Sequence, residues 1–216
     1  MDKQSIIELN QLGLADLHIH SCLSPCADLY MSPRFIAKNA VERGLKMAAL
    51  TDHNSSQNCP AFKYECEKVG IVPLFGMELN TKEEIHVLCI TDQLERALAF
   101  DKIVSEKISK FENDPLVFGD QPVVNEKEEI LYQIPYYLGN AVNISIDHIW
   151  DYLDPNHWLI IPSHINRQRN SLITNLGFIP ELPFDAVEVA KANDDGRKMW
   201  GNYIVVRNSD MHRLDF

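Results

Sequence analysis

Two of the chain's eight histidines, His18 and His20, close the apolar run 12–19. In an extended strand residues two apart project to one face, so both imidazoles aim at one point. Neutral imidazole is a ready ligand for divalent transition metals, which makes the pair half of a metal site. Taken alone it reads equally well as two polar residues at a strand end. Other groups decide between the readings. Asp210 and His212 repeat the two-residue spacing at the far end of the chain, and His53, Glu78 and His164 each follow a short apolar segment. Side chains at the C-terminal ends of strands are where α/β folds, and α/β barrels above all, gather their active groups. A purely structural set of polar residues has no reason to collect there.

The elements that would position these groups can be read in order. Ser32 and Pro33 suit the N-cap and first position of a helix in which Phe35, Ile36, Ala40 and Val41 recur at helical spacing until Gly44. Residues 47–50 form a short apolar strand ending in Thr51-Asp52-His53. A helix over 60–69 stops at Gly70, and a strand over 71–75 leads to Gly76-Met77-Glu78. The run 84–90 reads as a buried strand in which His86 shares a face with Glu84 and Leu88, and 92–111 reads as a helix. Residues 112–143, broken by Pro115, Gly119, Pro122, Pro135 and Gly139, read as an insertion with a hairpin over 121–134 turning at 125–127. A short helix over 144–153 precedes a strand over 158–162 that delivers Ser163 and His164, with Arg167-Gln168-Arg169 just beyond. Apolar segments 186–189 and 203–206 come last, and the second delivers Asp210 and His212. Strands alternating with helices over 216 residues predict one mainly parallel α/β domain spanning 1–216. The chain ends four residues past His212, earlier than an α/β unit usually closes, which implies a shortened C-terminus.

Composition narrows the function classes. No apolar run reaches the ~18–20 residues that cross a bilayer, and the first residues lack a basic region followed by a long apolar stretch. A cytoplasmic protein with no membrane partner is expected. Five cysteines form no paired framework, and Cys22 and Cys26 lack a second pair to complete a four-thiolate zinc site, so free thiols in a reducing compartment are expected. A net charge of −11 argues against a broad basic track for a nucleic-acid backbone. The expectation is therefore a small anionic substrate drawn to a local positive patch, with no stable nucleic-acid partner.

The segments Asp16-Leu17-His18-Ile19-His20, Thr51-Asp52-His53, Gly76-Met77-Glu78, Glu84-Ile85-His86, Pro162-Ser163-His164 and Ser209-Asp210-Met211-His212 together resemble the polymerase and histidinol phosphatase (PHP) family of metal-dependent phosphoesterases, in that family's order. The resemblance implies a distorted seven-stranded (β/α) barrel, similar to a TIM barrel, and a trinuclear metal site holding three divalent ions: zinc, manganese or iron. It implies that His18, His20, Glu78 and Asp210 hold one ion, with Glu78 bridging to a second held by His86 and His164. The third ion would take His53, His212 and one residue of the loop after His20. The family pattern places an Asp four residues before a Ser/Thr-Pro helix start, which selects Asp28, with Cys26 as second choice in a loop longer and richer in cysteine than usual.

The chemistry implied is hydrolysis of a small phosphorylated metabolite or nucleotide by a hydroxide bridging two ions. Metal binding lowers the pKa of water from 15.7 towards ~7, and three dications against Asp28, Glu78 and Asp210 leave about +3 for a phosphate to meet. Arg167 is the candidate phosphate clamp. Alternatives within the resemblance are a 3′–5′ exonuclease and a non-catalytic metal-binding module. Asp52, Glu84 and Glu188 are either ligand-orienting groups or solvated carboxylates, and His148 and His157, which fit no motif, belong on the surface.

Overall fold

Asp2 opens the chain by accepting a hydrogen bond from the Ser5 backbone N–H, capping helix α1 (Lys3–Gln11). The sequence reading missed this helix, whose Ile6 and Ile7 plug the floor of the sheet. The structure is a computed structural model describing residues 2–190 and 200–213. Strand β1 (Ala15–Ile19) follows, then α2 (Pro33–Glu42), where the Ser32 hydroxyl accepts from the Phe35 N–H as its composition predicts. Next come β2 (Met47–Leu50), α3 (Cys59–Val69), which ends at a left-handed Gly70, β3 (Val72–Asn80), β4 (His86–Thr91) and α4 (Leu94–Lys107). The insertion holds a single-turn helix, α5 (Pro115–Phe118), and the predicted hairpin, β5 (Pro122–Val124) with β6 (Ile130–Gln133). A 3₁₀ turn (Ile146–Asp151), β7 (Leu159–Pro162), α6 (Leu172–Leu176) and the two-residue strands β8 (Val187–Glu188) and β9 (Val205–Val206) complete the described elements.

The main sheet is a curled, mixed sheet of five strands in the order β1-β2-β3-β4-β7. The sheet is mixed where a mainly parallel one is expected, and it holds five of the seven strands expected of the barrel. Strands β1, β2 and β3 run parallel because each connection carries a helix, whereas only five residues separate β3 from β4, too few for a crossover, so that pair is antiparallel. Strand β4 is antiparallel to β7 as well. Strands β8 and β9 form a separate parallel pair. They are too short for a continuous ladder and meet the main sheet through single bonds: Asp185 N–H to Ile160 C=O at 3.0 Å, Ile165 N–H to Glu188 C=O at 2.9 Å, and, after β9, His20 N–H to Met211 C=O at 3.0 Å.

Period-two alternation places the site. Met47, Ala49, Leu74, Leu88, Ile90, Leu159 and Ile161 pack on the inner face, while Leu50, Phe75, Met77, Val87, Cys89 and Ile160 pack outward under the helices with Ile36, Phe62 and Phe100. On β3 the inner row continues from Leu74 through Gly76 to Glu78, and on β4 it runs from Ile90 through Leu88 to His86. The apolar layer thus ends where the ligand layer begins. On β1 the pairing slips between Asp16 and Ile19. That slip switches parity: Leu17 lies in the inner cluster and Ile19 in the outer one, so His18 and His20 take the inner side above Leu17. Gly76 allows β3 and β4 to close up, since a Cβ there would lie 2.0 Å from the Cys89 carbonyl oxygen.

Candidate metal centre

Glu78 is the hub of the site. Its Oε1 lies 3.2 Å from His18 Nε2, 3.1 Å from His86 Nδ1 and 3.1 Å from His164 Nε2, and its Oε2 lies 3.1 Å from His53 Nδ1 and 3.4 Å from His20 Nε2. Asp210, in a left-handed backbone conformation at φ 49°, sits opposite, 3.2 Å from His18 Nε2, 3.4 Å from His20 Nε2 and 3.4 Å from His212 Nδ1. The sequence-predicted His18, His20, His53, Glu78, His86, His164, Asp210 and His212 therefore meet at one place; Asp210 and His212 are half-buried and the others buried. His53, Glu78, His86, His164, Asp210 and His212 line an open cavity of about 510 Å³ with Arg167, Gln168, Arg169 and Asn170.

Neighbouring groups fix which nitrogen of each ring faces inward. The Ser21 and Ser24 hydroxyls donate to Asp52, at 2.6 and 2.7 Å. Ser24 Oγ, having spent its proton, accepts from His20 Nδ1 at 2.9 Å, which turns His20 Nε2 to the site. His18 Nδ1 donates to Glu188 at 2.9 Å, which turns His18 Nε2 to the site as well. The two Nε2 atoms then face each other at 3.0 Å beside two carboxylates. Two bare or two protonated nitrogens at that distance repel, and cations lying among the groups remove the repulsion.

The residues present fit divalent ions on three counts. First, the donor spacings of 3.0–3.4 Å match the edges, about 2.9–3.4 Å, of octahedral and tetrahedral shells built on bonds of about 2.0–2.1 Å. Second, His53 Nδ1 and His86 Nδ1 are buried without a hydrogen-bond partner, although each lies 3.1 Å from Glu78. Third, His20, His53 and His212, His18, His20 and Asp210, and His53, Glu78 and His86 form three groups whose ligand atoms lie within 4.8 Å of one another.

The electrostatics show the same strain. Burial would lower His18, but Glu188, Glu78 and Asp210 together hold its pKa well above the ordinary histidine value. His20 is raised too: burial opposes the shift, while hydrogen bonds to Asp210 and Glu78 drive it. His53 is pushed well down by burial, and His212 is pushed down to about 4 by burial and then by the His20 charge. Burial would raise Glu78, yet His86, His18 and His53 hold it well below the carboxylate range; Asp210 is lowered against its own burial chiefly by His18. Each carboxylate is thus an anion that needs positive charge nearby.

Arg167 reaches the site, with Nη1 2.5 Å from Asp210 Oδ2 and the guanidinium half-exposed. Asp28 is not brought into the ligand groups: it is exposed, its backbone N–H donates to the His212 carbonyl at 2.9 Å, and its carbonyl accepts from the Met31 N–H at 2.9 Å. Cys26 is exposed as a residue, yet burial of its thiol, with Glu78, Asp210 and Asp52 nearby, pushes its pKa up to about 12. Asp52 and Glu188 are buried partners of ligands rather than solvated groups; Glu84, His148 and His157 are exposed. All five cysteines are free. Sequence reasoning missed Ser24, whose spacing of four from His20 was the available signal, and Asn170, whose side-chain amide lies 2.7 Å from His86 Nε2. It also missed Asp16, which is buried and accepts from the His18 and Ser209 backbone N–H groups.

Fold and site together place the chain among the hydrolases that act as metal-dependent phosphoesterases. More particularly, it belongs to the PHP domain family, whose model matches residues 16–156. It is 30% identical over 167 residues to the PolC-type DNA polymerase III of Thermotoga petrophila, covering 74% of this chain and 10% of that protein. In fold it is similar to endonuclease Q of Pyrococcus furiosus, a lesion-specific endonuclease, at TM-score 0.63 and 20% identity over 92% of this chain and 48% of that one. A structure of endonuclease Q with a 27-mer duplex carrying an abasic lesion at its active site is similar at TM-score 0.60 and 20% identity, over 92% and 49%. A Bifidobacterium adolescentis protein described as a candidate metal-dependent phosphoesterase is similar at TM-score 0.61 and 15% identity, over 92% and 87%. The chain spans a tenth of the polymerase and about half of the endonuclease.

The expectation that nucleic acid is excluded as a partner is corrected by this likeness. A net charge of −11 describes the whole surface, whereas the fold this chain shares holds a DNA lesion at its active site in endonuclease Q. Among the described residues no helix is long and apolar enough to cross a membrane.

Proposed function

We propose that the chain hydrolyses a phosphate ester of a nucleotide or nucleic-acid strand at a site of three divalent ions. The observation that carries this reading is Glu78 within 3.4 Å of five imidazoles, two of which, His18 and His20, are held by Glu188 and Ser24 so that Nε2 faces the site. His18, His20, Glu78 and Asp210 would hold one ion, Glu78, His86 and His164 a second, and His53 and His212 a third. Bound there, the ions supply a water of lowered pKa and a positive field for the phosphate.

The chain's own residues do the rest. Glu188, Ser24 with Asp52, and Asn170 orient the ligand rings, which keeps the donor atoms in place as substrate enters. Arg167, at the cavity rim and paired with Asp210, can exchange that partner for two oxygens of a phosphate. Arg169 lines the same cavity and adds positive charge at its mouth. The β8–β9 pair would complete a seven-stranded barrel, supported by the single bonds to β7 and β1. A reducing, cytoplasmic setting suits five free thiols.

The test is turnover by chain reconstituted with zinc, manganese or iron(II), measured on p-nitrophenyl phosphate, its bis ester, nucleotide phosphates and single-stranded oligonucleotides. His18→Ala and Asp210→Ala serve as controls. Turnover lost in both variants is expected, and about three ions per chain by elemental analysis. Activity no greater than the variants' on every substrate would sink the reading.

A further inference from the structure

Three aromatic rings, Phe111 just before the insertion and Phe118 and Tyr137 within it, form a run that reaches towards the metal centre: the carbonyl of Leu138, next to Tyr137, accepts from Asn54 Nδ2 at 2.7 Å, and Asn54 follows the ligand His53. The Phe111 and Phe118 centroids lie 6.0 Å apart edge to face, and the Phe118 and Tyr137 centroids lie 4.4 Å apart with planes tilted by 33°. The backbone holds the run in place: Tyr137 N–H donates to the Phe111 carbonyl at 2.9 Å, and Asn113 Nδ2 donates to the Gly119 carbonyl at 2.9 Å. Gly119 in turn presses on the loop after His20 so closely that a Cβ would lie 2.1 Å from the Pro25 carbonyl oxygen. Cys26 is the next residue of that loop. Tyr137 is raised by burial and then by the Cys26 thiol, and Cys26 by burial and then by Glu78.

None of the three rings belongs to the buried clusters of the core. Phe111 is 57% exposed, and Phe118 and Tyr137 are half-buried. An aromatic run with an exposed ring at one end and a phosphoester site towards the other suits nucleobases, because every base presents a π-face and stacking needs no cation. This answers the difficulty raised by the chain's acidity: a strand can be held through its bases where basic residues are few. Glu112, Asp114 and Asp120 neighbour the rings in sequence and disfavour phosphate there, whereas the cavity of Arg167 and Arg169 favours it.

We infer that Phe111, Phe118 and Tyr137 form a base-stacking subsite for a single-stranded nucleic acid whose phosphate enters the metal centre. The inference rests on the phosphoesterase reading above.

The experiment is fluorescence anisotropy on the metal-loaded full chain with fluorescein-labelled, phosphorothioate-linked strands, which resist hydrolysis. One strand carries ten adenines and the other is abasic at every position. Wild-type chain should bind the adenine strand about fivefold to a hundredfold more tightly. Phe118→Leu should remove most of that preference and Phe118→Tyr should keep it. Circular dichroism checks that each variant is folded, and if Phe118→Leu is not, the exposed Phe111→Leu takes its place. Equal affinity for the two strands in the wild type, or an unchanged preference in the leucine variant, overturns the subsite. Turnover of p-nitrophenyl phosphate without base preference overturns the subsite alone. Base preference with no turnover of any ester overturns the phosphoesterase reading and leaves the subsite standing.

Discussion

Glu188 accepts from His18 Nδ1 at 2.9 Å and, through the same oxygen, from the His164 backbone N–H at 3.0 Å. One buried carboxylate on a two-residue strand thus orients a ring on β1 and fixes the segment that follows β7. His18 in turn holds Glu188 below the carboxylate range although burial opposes it. Replacing Glu188 by Gln keeps its volume and removes its charge. The expected result is a loss of metal affinity of about 10- to 100-fold, read by titration against a chromogenic chelator. Unchanged affinity would show that His18 needs no such partner.

Glu78 should be the least replaceable group. In Glu78→Gln one oxygen becomes an amide that cannot bridge two cations, and the imidazoles around it lose the anion they share. Elemental analysis should find at least one ion fewer than the ~three expected, with p-nitrophenyl phosphate turnover falling in parallel. Full metal content in this variant would remove Glu78 from the ligand set.

Much of this is legible in the sequence because the ligands sit at strand ends, where a period of two and a change from apolar to polar both leave a trace. His18 with His20, and Asp210 with His212, show the first signal, and His53 and His164 the second. The pattern puts Glu78 just past its strand, but β3 runs on to Asn80, since Gly76 lets β4 pair alongside it. The groups behind the ligands are harder to see. Ser24, Asn170 and Glu188 act through contacts distant in sequence or unmarked by any period, up to 170 residues apart for Glu188 and His18, and no local pattern encodes that distance. Beyond the five-stranded sheet the pattern is harder to follow for a local reason: β8 and β9 are two residues each.

Asn170 offers a test at the opposite wall. A side-chain amide can present either its oxygen or its nitrogen to His86 Nε2, and only the oxygen accepts from Nε2–H and so leaves Nδ1 bare towards Glu78. Asn170→Leu removes that acceptor. We expect one class of bound ion to weaken by about tenfold or more while the ion between His18, His20 and Asp210 is retained, and Asn170→Asp to restore binding. Calorimetric titration resolves the classes, and uniform weakening of all ions would count against a local role.

The loop after His20 offers two candidate ligands for the third ion: Asp28, four residues before Ser32, and Cys26, six before it. Asp28 is exposed, whereas the Cys26 thiol lies close enough to Glu78 and Asp210 to feel both, and its pKa is raised to about 12 with burial as the larger cause. A bound cation reverses that influence and favours the thiolate. Cys26→Ser is therefore expected to weaken retention of one ion during dialysis, and Asp28→Ala to leave it unchanged. The opposite pattern in elemental analysis would return Asp28 to the ligand set.

Gly76 links the stability of the sheet to the geometry of the site. Its Cα faces the backbone of β4, and a Cβ would lie 2.0 Å from the Cys89 carbonyl oxygen and 2.9 Å from the Cys89 carbonyl carbon. Neither atom belongs to a flexible side chain, so Gly76→Ala forces the two strands apart. Overpacking of this kind costs about 1–3 kcal/mol, and for a chain of this size the midpoint of thermal unfolding should fall by roughly 2–12 °C. Glu78 is two residues along the same strand and His86 lies on the partner strand, with Glu78 paired to Leu88 and Asn80 to His86. Separation of the strands therefore lengthens the 3.1 Å approach between Glu78 and His86, and metal affinity should fall together with the melting temperature. Thermal melts with and without metal measure both effects at once: a variant that melts lower but gains the same increment from metal as the wild type would show that the close approach of the strands serves the fold and not the site.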